Sequence, residues 1–264
     1  MTEQRRADMF HAICTDRGNV KKINQDSAIY KEAETGTRSL ILAAVCDGMG
    51  GLQNGEVASG EMITALSGWF SYQLPLLLEK GITDYALIES LNMLVTDEDE
   101  RITEYGEEHG ECGTTLAAVT ACGGKYLCIN VGDSRVYRIT EGNIIQLTHD
   151  QTVVQQLIDQ GRITTKQAEV HPDRNVLLQC IGAGGDVVPD YSTGEYKEGD
   201  MFLICSDGFR HKLKKEEMAG IFGGGFGSDQ ELKEAAKSAV EISKGRKERD
   251  NITVIAVAMS AESP

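Results

Sequence analysis

The chain has 264 residues, of which 41% are hydrophobic, enough to build one sizeable core. Its formal net charge of −15 disfavours nucleic acid as a partner, because a phosphate backbone requires a basic footprint. The seven cysteines are scattered without a CxxC pair, which argues against a disulfide framework or a zinc site and favours a reducing cytosol. No apolar run reaches transmembrane length and no secretory leader is visible, so we expect a cytoplasmic protein without membrane insertion.

The sequence predicts a single domain over residues 1–264, because no repeat, low-complexity tract or long linker divides it. Residues 1–8 are polar and are expected to form a loose tail. Hairpin patterns then recur, since apolar runs flank short turn-forming segments such as Gly123-Gly124. The paired runs are 27–32 with 39–46, 116–121 with 125–131, and 134–139 with 144–147, and two more apolar strands are predicted at 201–205 and 252–259.

Helical periodicity separates these groups of strands. Residues 58–69 carry apolar side chains on one helical face, and residues 88–102 do the same after a start at Asp84. The remaining helix signals are a capping box of Ser228 with Glu231, a stop at Gly245, a short helix over 152–160, and a second capping pair of Thr164 with Gln167. Because hairpins dominate and the helices come in blocks, this order predicts antiparallel sheets with helices on their outer faces.

Four of the predicted apolar strands each carry an aspartate at one end, beside glycine, serine or asparagine. These aspartates are Asp47, Asp133, Asp207 and Asp250. A single acid at a strand end is often only a solvated turn residue, but four with small neighbours are better explained by a shared cation site. Adjacent unpaired carboxylates repel each other, and a divalent ion resolves that repulsion.

The chemistry of the expected ligands narrows the choice of metal. Oxygen ligands without histidine or cysteine favour Mg²⁺ or Mn²⁺ over zinc. The aspartate-rich twelve-residue loop of an EF-hand is absent, so a Ca²⁺ site of that kind is excluded. Two such ions about 3.5–4 Å apart would hold a bridging hydroxide and polarise a phosphoryl group.

An ordered series of short motifs extends this pattern from about Thr15 to Val257. In chain order the motifs are TDRGNVK at 15–21, NQDS at 24–27, DGMGG at 47–51, CGTT at 112–115, VGDSR at 131–135, LTHD at 147–150, Gly182, SDG at 206–208 and DN at 250–251. Each motif is weak alone, but the ordered set resembles bacterial members of the metal-dependent type 2C protein serine/threonine phosphatases, the PPM family.

This resemblance implies an α+β fold, with a central sandwich of two antiparallel β-sheets flanked by pairs of α-helices. It also implies hydrolysis of phosphoserine and phosphothreonine in proteins by a water or hydroxide that bridges two Mn²⁺ or Mg²⁺ ions. Matched motif by motif, the direct ligands are expected to be Asp47 (bridging both ions), the carbonyl of Gly48, Asp207 and Asp250.

Further roles follow from the same resemblance. Asp26 is expected to hold metal-bound waters, and Asp133 is expected to share a third, weaker ion with Asp207. Lys21 would position the substrate phosphate, and the segment 160–182 would form a mobile flap beside the site.

The sequence departs from the family pattern at three positions. Lys21 stands where many members have arginine, so the charge is kept but the bidentate fork is lost, and we expect somewhat weaker or less well aligned phosphate binding. Gln25 replaces a common glutamate, and Met49 replaces the candidate proton-donating histidine of eukaryotic members. The group that protonates the leaving oxygen is therefore left open.

Other functions fit the sequence less well. A catalytically weak pseudophosphatase that binds phosphoproteins or a kinase would be expected to lose a core aspartate. A cysteine phosphatase is disfavoured because no cysteine has an arginine six positions later, and a P-loop enzyme is disfavoured because GxxxxGK[ST] is absent. By family analogy we expect phosphoprotein substrates, an opposing Ser/Thr kinase and a monomeric protein.

Overall fold

The computed structural model describes residues 9–35, 38–49, 54–79 and 83–259. The predicted loose tail at 1–8 and the tip of the first predicted turn at 36–37 lie outside these residues. The strands in the described part are β1 (Phe10–Asp16), β2 (Asp26–Thr35), β3 (Arg38–Asp47), β4 (Leu116–Cys122), β5 (Lys125–Val131), β6 (Arg135–Thr140), β7 (Asn143–Gln146), β8 (Asp190–Glu195), β9 (Met201–Cys205) and β10 (Ile252–Ala258).

The strands form two five-stranded antiparallel sheets. One sheet has the order β1-β10-β9-β6-β7, and the other has the order β2-β3-β4-β5-β8. The predicted hairpins are present, and Gly123 and Gly124 both have positive φ, of 63° and 76°, as the tight turn between β4 and β5 requires. Of the four edge strands, the sequence predicted β2 and β7 but not β1 and β8.

Helices cover the outer faces of both sheets. In the described part of the chain they are α1 (Gly55–Gly68), α2 (Leu74–Glu79), α3 (Asp84–His109), α4 (Val153–Asp159), α5 (Thr165–Ala168), α6 (Asp207–Arg210), α7 (Lys215–Phe222) and α8 (Asp229–Gly245). A π-helical turn at Trp69–Gln73 joins α1 to α2. None of these helices is long and apolar enough to cross a membrane.

Helix caps agree with the predicted starts, with one difference. Thr164 and Gln167 form the predicted reciprocal capping box at the start of α5. At α8, Ser228 Oγ accepts from the backbone N–H of Glu231 at 3.2 Å. The carboxylate of Glu231 accepts instead from the backbone N–H of Gly227 at 2.8 Å, so the second half of that predicted box is wrong.

The core has three apolar layers, which explains why the central strands are apolar on both faces. On β3, Ile41 and Val45 face the other sheet, where they join Phe202 and Ile255. The alternate residues of β3 face α1 and α3, in a layer with Met62, Leu66 and Leu91. On the opposite side, α7 and α8 cover the first sheet with Met218, Phe222, Leu232, Ala236 and Val240. The predicted α+β sandwich between helical pairs is therefore confirmed.

Candidate metal centre

The first two acids of the site lie at one end of the β2–β3 hairpin. Asp26 is the first residue of β2 and pairs in register with Asp47, the last residue of β3. The backbone N–H of Asp47 donates to Thr115 Oγ1 at 3.1 Å, and the backbone N–H of Thr115 donates to the Asp47 carbonyl at 2.9 Å. These bonds fix the backbone of Asp47 where the apolar strand ends.

The other sheet brings its acids to the same end of the sandwich. Asp207 begins α6 directly after β9, and Asp250 lies two residues before β10. Between the sheets, Ser206 Oγ donates to Asp26 Oδ2 at 2.9 Å and accepts from the backbone N–H of Thr253 at 3.0 Å. Ser206 therefore ties the acid-bearing ends of the two sheets together.

Two glycines are required by close backbone contacts at this centre. A Cβ on Gly48 would lie 2.2 Å from the carbonyl oxygen of Gly55. A Cβ on Gly208 would lie 2.0 Å from the carbonyl oxygen of Asn251. Because real Cβ atoms do not approach backbone oxygens so closely, only glycine allows these segments to pack. Residues 50–53, the rest of the glycine-rich turn, lie outside the described residues.

Lys21 lies beside Asp250, one of the acids expected to bind metal. Its Nζ is 2.7 Å from Asp250 Oδ1, and both side chains remain partly exposed. Burial would lower the pKa of Lys21, but the hydrogen bond to Asp250 and the charges of Asp47 and Asp207 raise it. The ammonium group is therefore held in its charged form beside the acids.

The central carboxylates are poorly compensated. Burial, together with the charges of Asp26 and Asp207, raises the pKa of Asp47 well above its usual range. Burial and the neighbouring acids also raise the pKa of Asp26 to about 7 and that of Asp207 to about 6, although the charge of Arg210 opposes the rise at Asp207. Asp26 Oδ1 and Asp207 Oδ1 are buried without a hydrogen-bond partner. Such a set is electrostatically strained unless protons or a cation neutralise it.

The oxygen atoms at this centre are the kind of ligand that a hard divalent cation prefers. Carboxylates and backbone carbonyls favour Mg²⁺ or Mn²⁺, and the unpartnered oxygens supply acceptors that a cation would satisfy. Within the described ranges, no three acidic, histidine or cysteine side chains converge closely enough to hold an ion as they stand. Asp250 is bound to Lys21 and Asp26 to Ser206, so side-chain rotation would have to accompany ion binding.

Asp133 is close enough for its charge to act on Asp47, but it has a hydrogen-bonded cation of its own. It follows β5 and Gly132, whose φ is 92°. Arg210 Nη2 donates to Asp133 Oδ2 at 2.9 Å and to its carbonyl oxygen at 3.0 Å. Burial raises the pKa of Asp133 to about 6, and the charge of Arg210 opposes that rise.

Several residues that support the site were not assigned roles from the sequence. Asn251 Oδ1 accepts from the backbone N–H of Gln25 at 3.0 Å, and its Nδ2 donates to the carbonyls of Arg17 and Ile23. Asn251 thereby holds the loop that carries Lys21. Its place in the DN motif at 250–251 was a usable signal, whereas nothing in the local sequence around Arg210 indicated that it would reach Asp133.

The end of the predicted flap is anchored beside the centre. Ile181 and Thr114 exchange backbone hydrogen bonds of 2.9 Å in both directions, and Thr114 also bridges to Gly48. The backbone N–H of Gly182 donates to Asp99 Oδ1 at 2.6 Å. The role of segment 160–182 as a flap stays a prediction, but its C-terminal end does pair with Thr114, the residue that bridges to Gly48.

The antiparallel sandwich lies between helical pairs and carries acids from both sheets at one end. This is the arrangement expected for a metal-dependent phosphatase. The chain matches the family model for protein phosphatase 2C over residues 17–242. It therefore belongs to the protein phosphatase 2C family, and the predicted family is confirmed.

Curated relatives and solved structures agree with this assignment. The chain is 33% identical over 248 residues to the serine/threonine protein phosphatase PstP of Mycobacterium tuberculosis, covering 93% of this chain but 44% of PstP. It is 30% identical over 254 residues to the protein phosphatase PhpP of Streptococcus pneumoniae, covering 95% of this chain and 98% of PhpP. The solved PstP catalytic domain in complex with two manganese ions superposes with a TM-score of 0.76 at 29% identity, covering 96% of this chain and 99% of that one.

Proposed function

We propose that this chain hydrolyses phosphoserine and phosphothreonine in proteins with the help of two divalent cations, Mn²⁺ or Mg²⁺. The observation that carries the proposal is that Asp26, Asp47 and Asp207 lie at one end of the sandwich. There Asp26 Oδ1 and Asp207 Oδ1 are buried without a hydrogen-bond partner, and the pKa of Asp47 is raised by burial and by the other acids. Support comes also from the names of the relatives and from the two manganese ions of the PstP catalytic domain.

In this proposal each residue has a distinct task. Asp47, the Gly48 carbonyl, Asp207 and Asp250 would hold the two ions, and Asp26 would orient water beside them. When bound, the ions supply Lewis-acid activation of water and neutralise the phosphoryl oxygens. Ser206 Oγ donates to Asp26 Oδ2 at 2.9 Å, while Asp26 Oδ1 has no hydrogen-bond partner and could accept from such a water.

Lys21 is the residue proposed to bind the substrate phosphate. Its ammonium group is charged and bound to Asp250 at 2.7 Å, with part of its surface open to solvent. A phosphate arriving at the centre can therefore take up an N–H donor of Lys21, since an ammonium group has three. Lys21 then orients the phosphate for in-line attack by water. Its positive charge also reduces the electrostatic repulsion between the phosphate and the aspartates.

The alternative is a catalytically weak regulatory module that binds phosphoproteins or a kinase. A module of that kind would be expected to lose a core acid, whereas Asp47, Asp207 and Asp250 are all present. The cognate kinase, the monomeric state and the cytoplasmic location stay predictions.

A direct test is hydrolysis of a phosphothreonine peptide by purified protein with and without added Mn²⁺, with phosphate release as the readout. We expect turnover that requires the ion and is lost in Asp207→Asn. Asp186→Asn removes an exposed acid elsewhere and serves as the control that should keep wild-type turnover. If wild type with Mn²⁺ releases no more phosphate than Asp207→Asn, the enzymatic proposal fails and the regulatory alternative gains.

A further inference from the structure

Arg210, the last residue of α6, has its guanidinium group buried at the edge of the metal centre. Its Nη2 donates to both the carboxylate and the carbonyl of Asp133, at 2.9 and 3.0 Å. The two side chains are only 12% and 13% exposed. The same nitrogen lies 3.7 Å from Oδ2 of Asp150. Arg210 therefore joins two acids that come from different loops.

Asp150 has a second arginine of its own. Arg135 Nε and Nη2 donate to the two carboxylate oxygens of Asp150 at 2.7 and 2.5 Å, a bidentate pair. Arg135 Nη1 also donates to the hydroxyl of Tyr137 at 2.8 Å. The cluster of Arg135, Asp150, Arg210 and Asp133 thus contains two positive and two negative side chains and is balanced in charge.

This balance distinguishes Asp133 from the central acids. Asp26 and Asp207 each keep a buried oxygen that has no hydrogen-bond partner, so they are acceptors that a cation would satisfy. Asp133 already binds a fixed cation through its side chain and its main chain. The charge of Asp207 also reaches Asp133, but a divalent ion there would have to enter beside the buried guanidinium group of Arg210, which would repel it.

We propose that Arg210 takes the place beside Asp133 that the family resemblance assigns to a third metal ion, so that this chain binds two ions rather than three. The inference rests on the two-ion centre of the proposed function and concerns the acid next to it. Arg210 is then a positioning residue that holds Asp133 and the start of α6. Unlike a bound metal ion, its guanidinium group does not exchange with ions in solution. The benefit of a tethered cation is that its presence does not depend on the metal concentration.

The experiment counts bound Mn²⁺ per chain, by equilibrium dialysis over a range of Mn²⁺ concentrations and elemental analysis of the retained protein. We expect two ions in wild type and two in Asp133→Asn. In Arg210→Gln we expect an additional, weaker ion, which the double variant Arg210→Gln/Asp133→Asn loses again. Arg162→Gln removes one exposed positive charge outside the centre and is the matched control, expected to keep two ions.

The number of bound ions tests the role of Arg210 separately from the two-ion centre. Three ions in wild type, with one lost in Asp133→Asn, would overturn the role of Arg210 while leaving the two-ion centre intact. Two ions in Arg210→Gln would overturn it as well. Fewer than two ions in wild type would overturn the centre itself, and so the proposed function. If Arg210→Gln does not fold, the comparison of wild type with Asp133→Asn still separates two ions from three.

Discussion

Nζ of Lys21 lies 2.7 Å from Oδ1 of Asp250, which joins the proposed phosphate-binding cation to an acid of the metal centre. The two residues are far apart in sequence, but Asn251 holds their segments together. Its side-chain amide donates to the carbonyls of Arg17 and Ile23, at 2.9 and 3.0 Å, on either side of Lys21. Substrate binding and metal binding are therefore expected to be coupled.

Lys21→Met should weaken phosphate binding. The substitution keeps a long side chain but removes a charged donor worth about 1.5–3 kcal/mol, so kcat/KM should fall about ten- to a hundredfold. Steady-state kinetics on a phosphothreonine peptide with saturating Mn²⁺ measure this. Lys22→Met is the matched control, since Lys22 is exposed and next in sequence. Equal losses in both variants would contradict a specific role for Lys21.

Asn251→Ala should loosen the loop that carries Lys21. Asn251 is 2% exposed, and the substitution leaves the N–H of Gln25 and two carbonyls without their partner. We expect the free energy of unfolding to fall by about 1–3 kcal/mol, with a loss of activity as well. Urea unfolding of the metal-free protein gives the first quantity. Asn143→Ala, at an exposed turn with one 3.4 Å hydrogen bond, should change stability little, and a similar loss there would refute the argument.

Asp207→Asn should stabilise the metal-free protein and weaken its stabilisation by Mn²⁺. Asp207 Oδ1 is buried without a partner among other acids, so removing its charge relieves repulsion. In wild type, Mn²⁺ should raise the melting temperature, because an ion that binds only the folded state stabilises it by mass action. Thermal unfolding in chelator and in Mn²⁺ tests both points. A variant that is destabilised in chelator, or that responds to Mn²⁺ as wild type does, would show that Asp207 is not an uncompensated ligand.

The fold was largely predictable, because the central strands and helices carry strong local signals. Gly123 and Gly124 marked a turn that only positive φ angles can make. β8 was missed because its sequence, DYSTGE, is polar and half exposed at a sheet edge. An edge strand has no second sheet neighbour to demand an apolar run, so its pattern is weak.

The candidate site was predictable in part. The acids at strand ends could be found because apolar runs that stop at aspartate are visible in sequence. The pairing of Asp133 with Arg210 could not, since their contact spans 77 residues and joins α6, which follows β9 of one sheet, to the end of β5 in the other. The same applies to Ser206, whose hydroxyl reaches Asp26 from the other sheet. Contacts between sheets follow from tertiary packing, which local sequence does not encode.

The buried ion pair of Asp150 with Arg135 should stabilise the protein in a pH-dependent way. Burial would raise the pKa of Asp150, but the hydrogen bond from Arg135 and the charge of Arg210 lower it below its usual value. A depressed folded pKa means that the contribution is fully present above the unfolded pKa of about 3.9 and is lost as the pH falls through the folded pKa. Breaking a buried pair costs about 3–5 kcal/mol, and we expect Asp150→Asn to lose that amount near pH 7.

Urea unfolding of wild type and Asp150→Asn between pH 3 and pH 8 tests the direction of this pH dependence. The difference between the two should stay constant above about pH 5 and shrink below about pH 4. Asp173→Asn, an exposed acid in the loop after α5, provides a control with a small and flat difference. A difference for Asp150→Asn that grows toward acid pH would show that the carboxylate is not held ionised by the arginines.

Gly208→Ala should disrupt the metal centre by moving its backbone. The added Cβ would lie 2.0 Å from the carbonyl oxygen of Asn251 and 3.3 Å from Cβ of Asp250, so the segment that carries Asp250 has to shift. We expect the free energy of unfolding to fall by about 1–3 kcal/mol, as for other overpacked sites, and Mn²⁺ binding to weaken with it. Gly220→Ala is the matched control, because Gly220 lies in α7 with no atom within 4 Å of the added Cβ. That substitution should stabilise the protein by about 0.5–1 kcal/mol, through helix propensity, and leave Mn²⁺ binding unchanged.

Urea unfolding measures the change in the free energy of unfolding, and calorimetric titration with Mn²⁺ on the same samples measures the change in affinity. Unchanged Mn²⁺ affinity in Gly208→Ala would mean that the packing of α6 against residues 250–251 does not set the geometry of the centre.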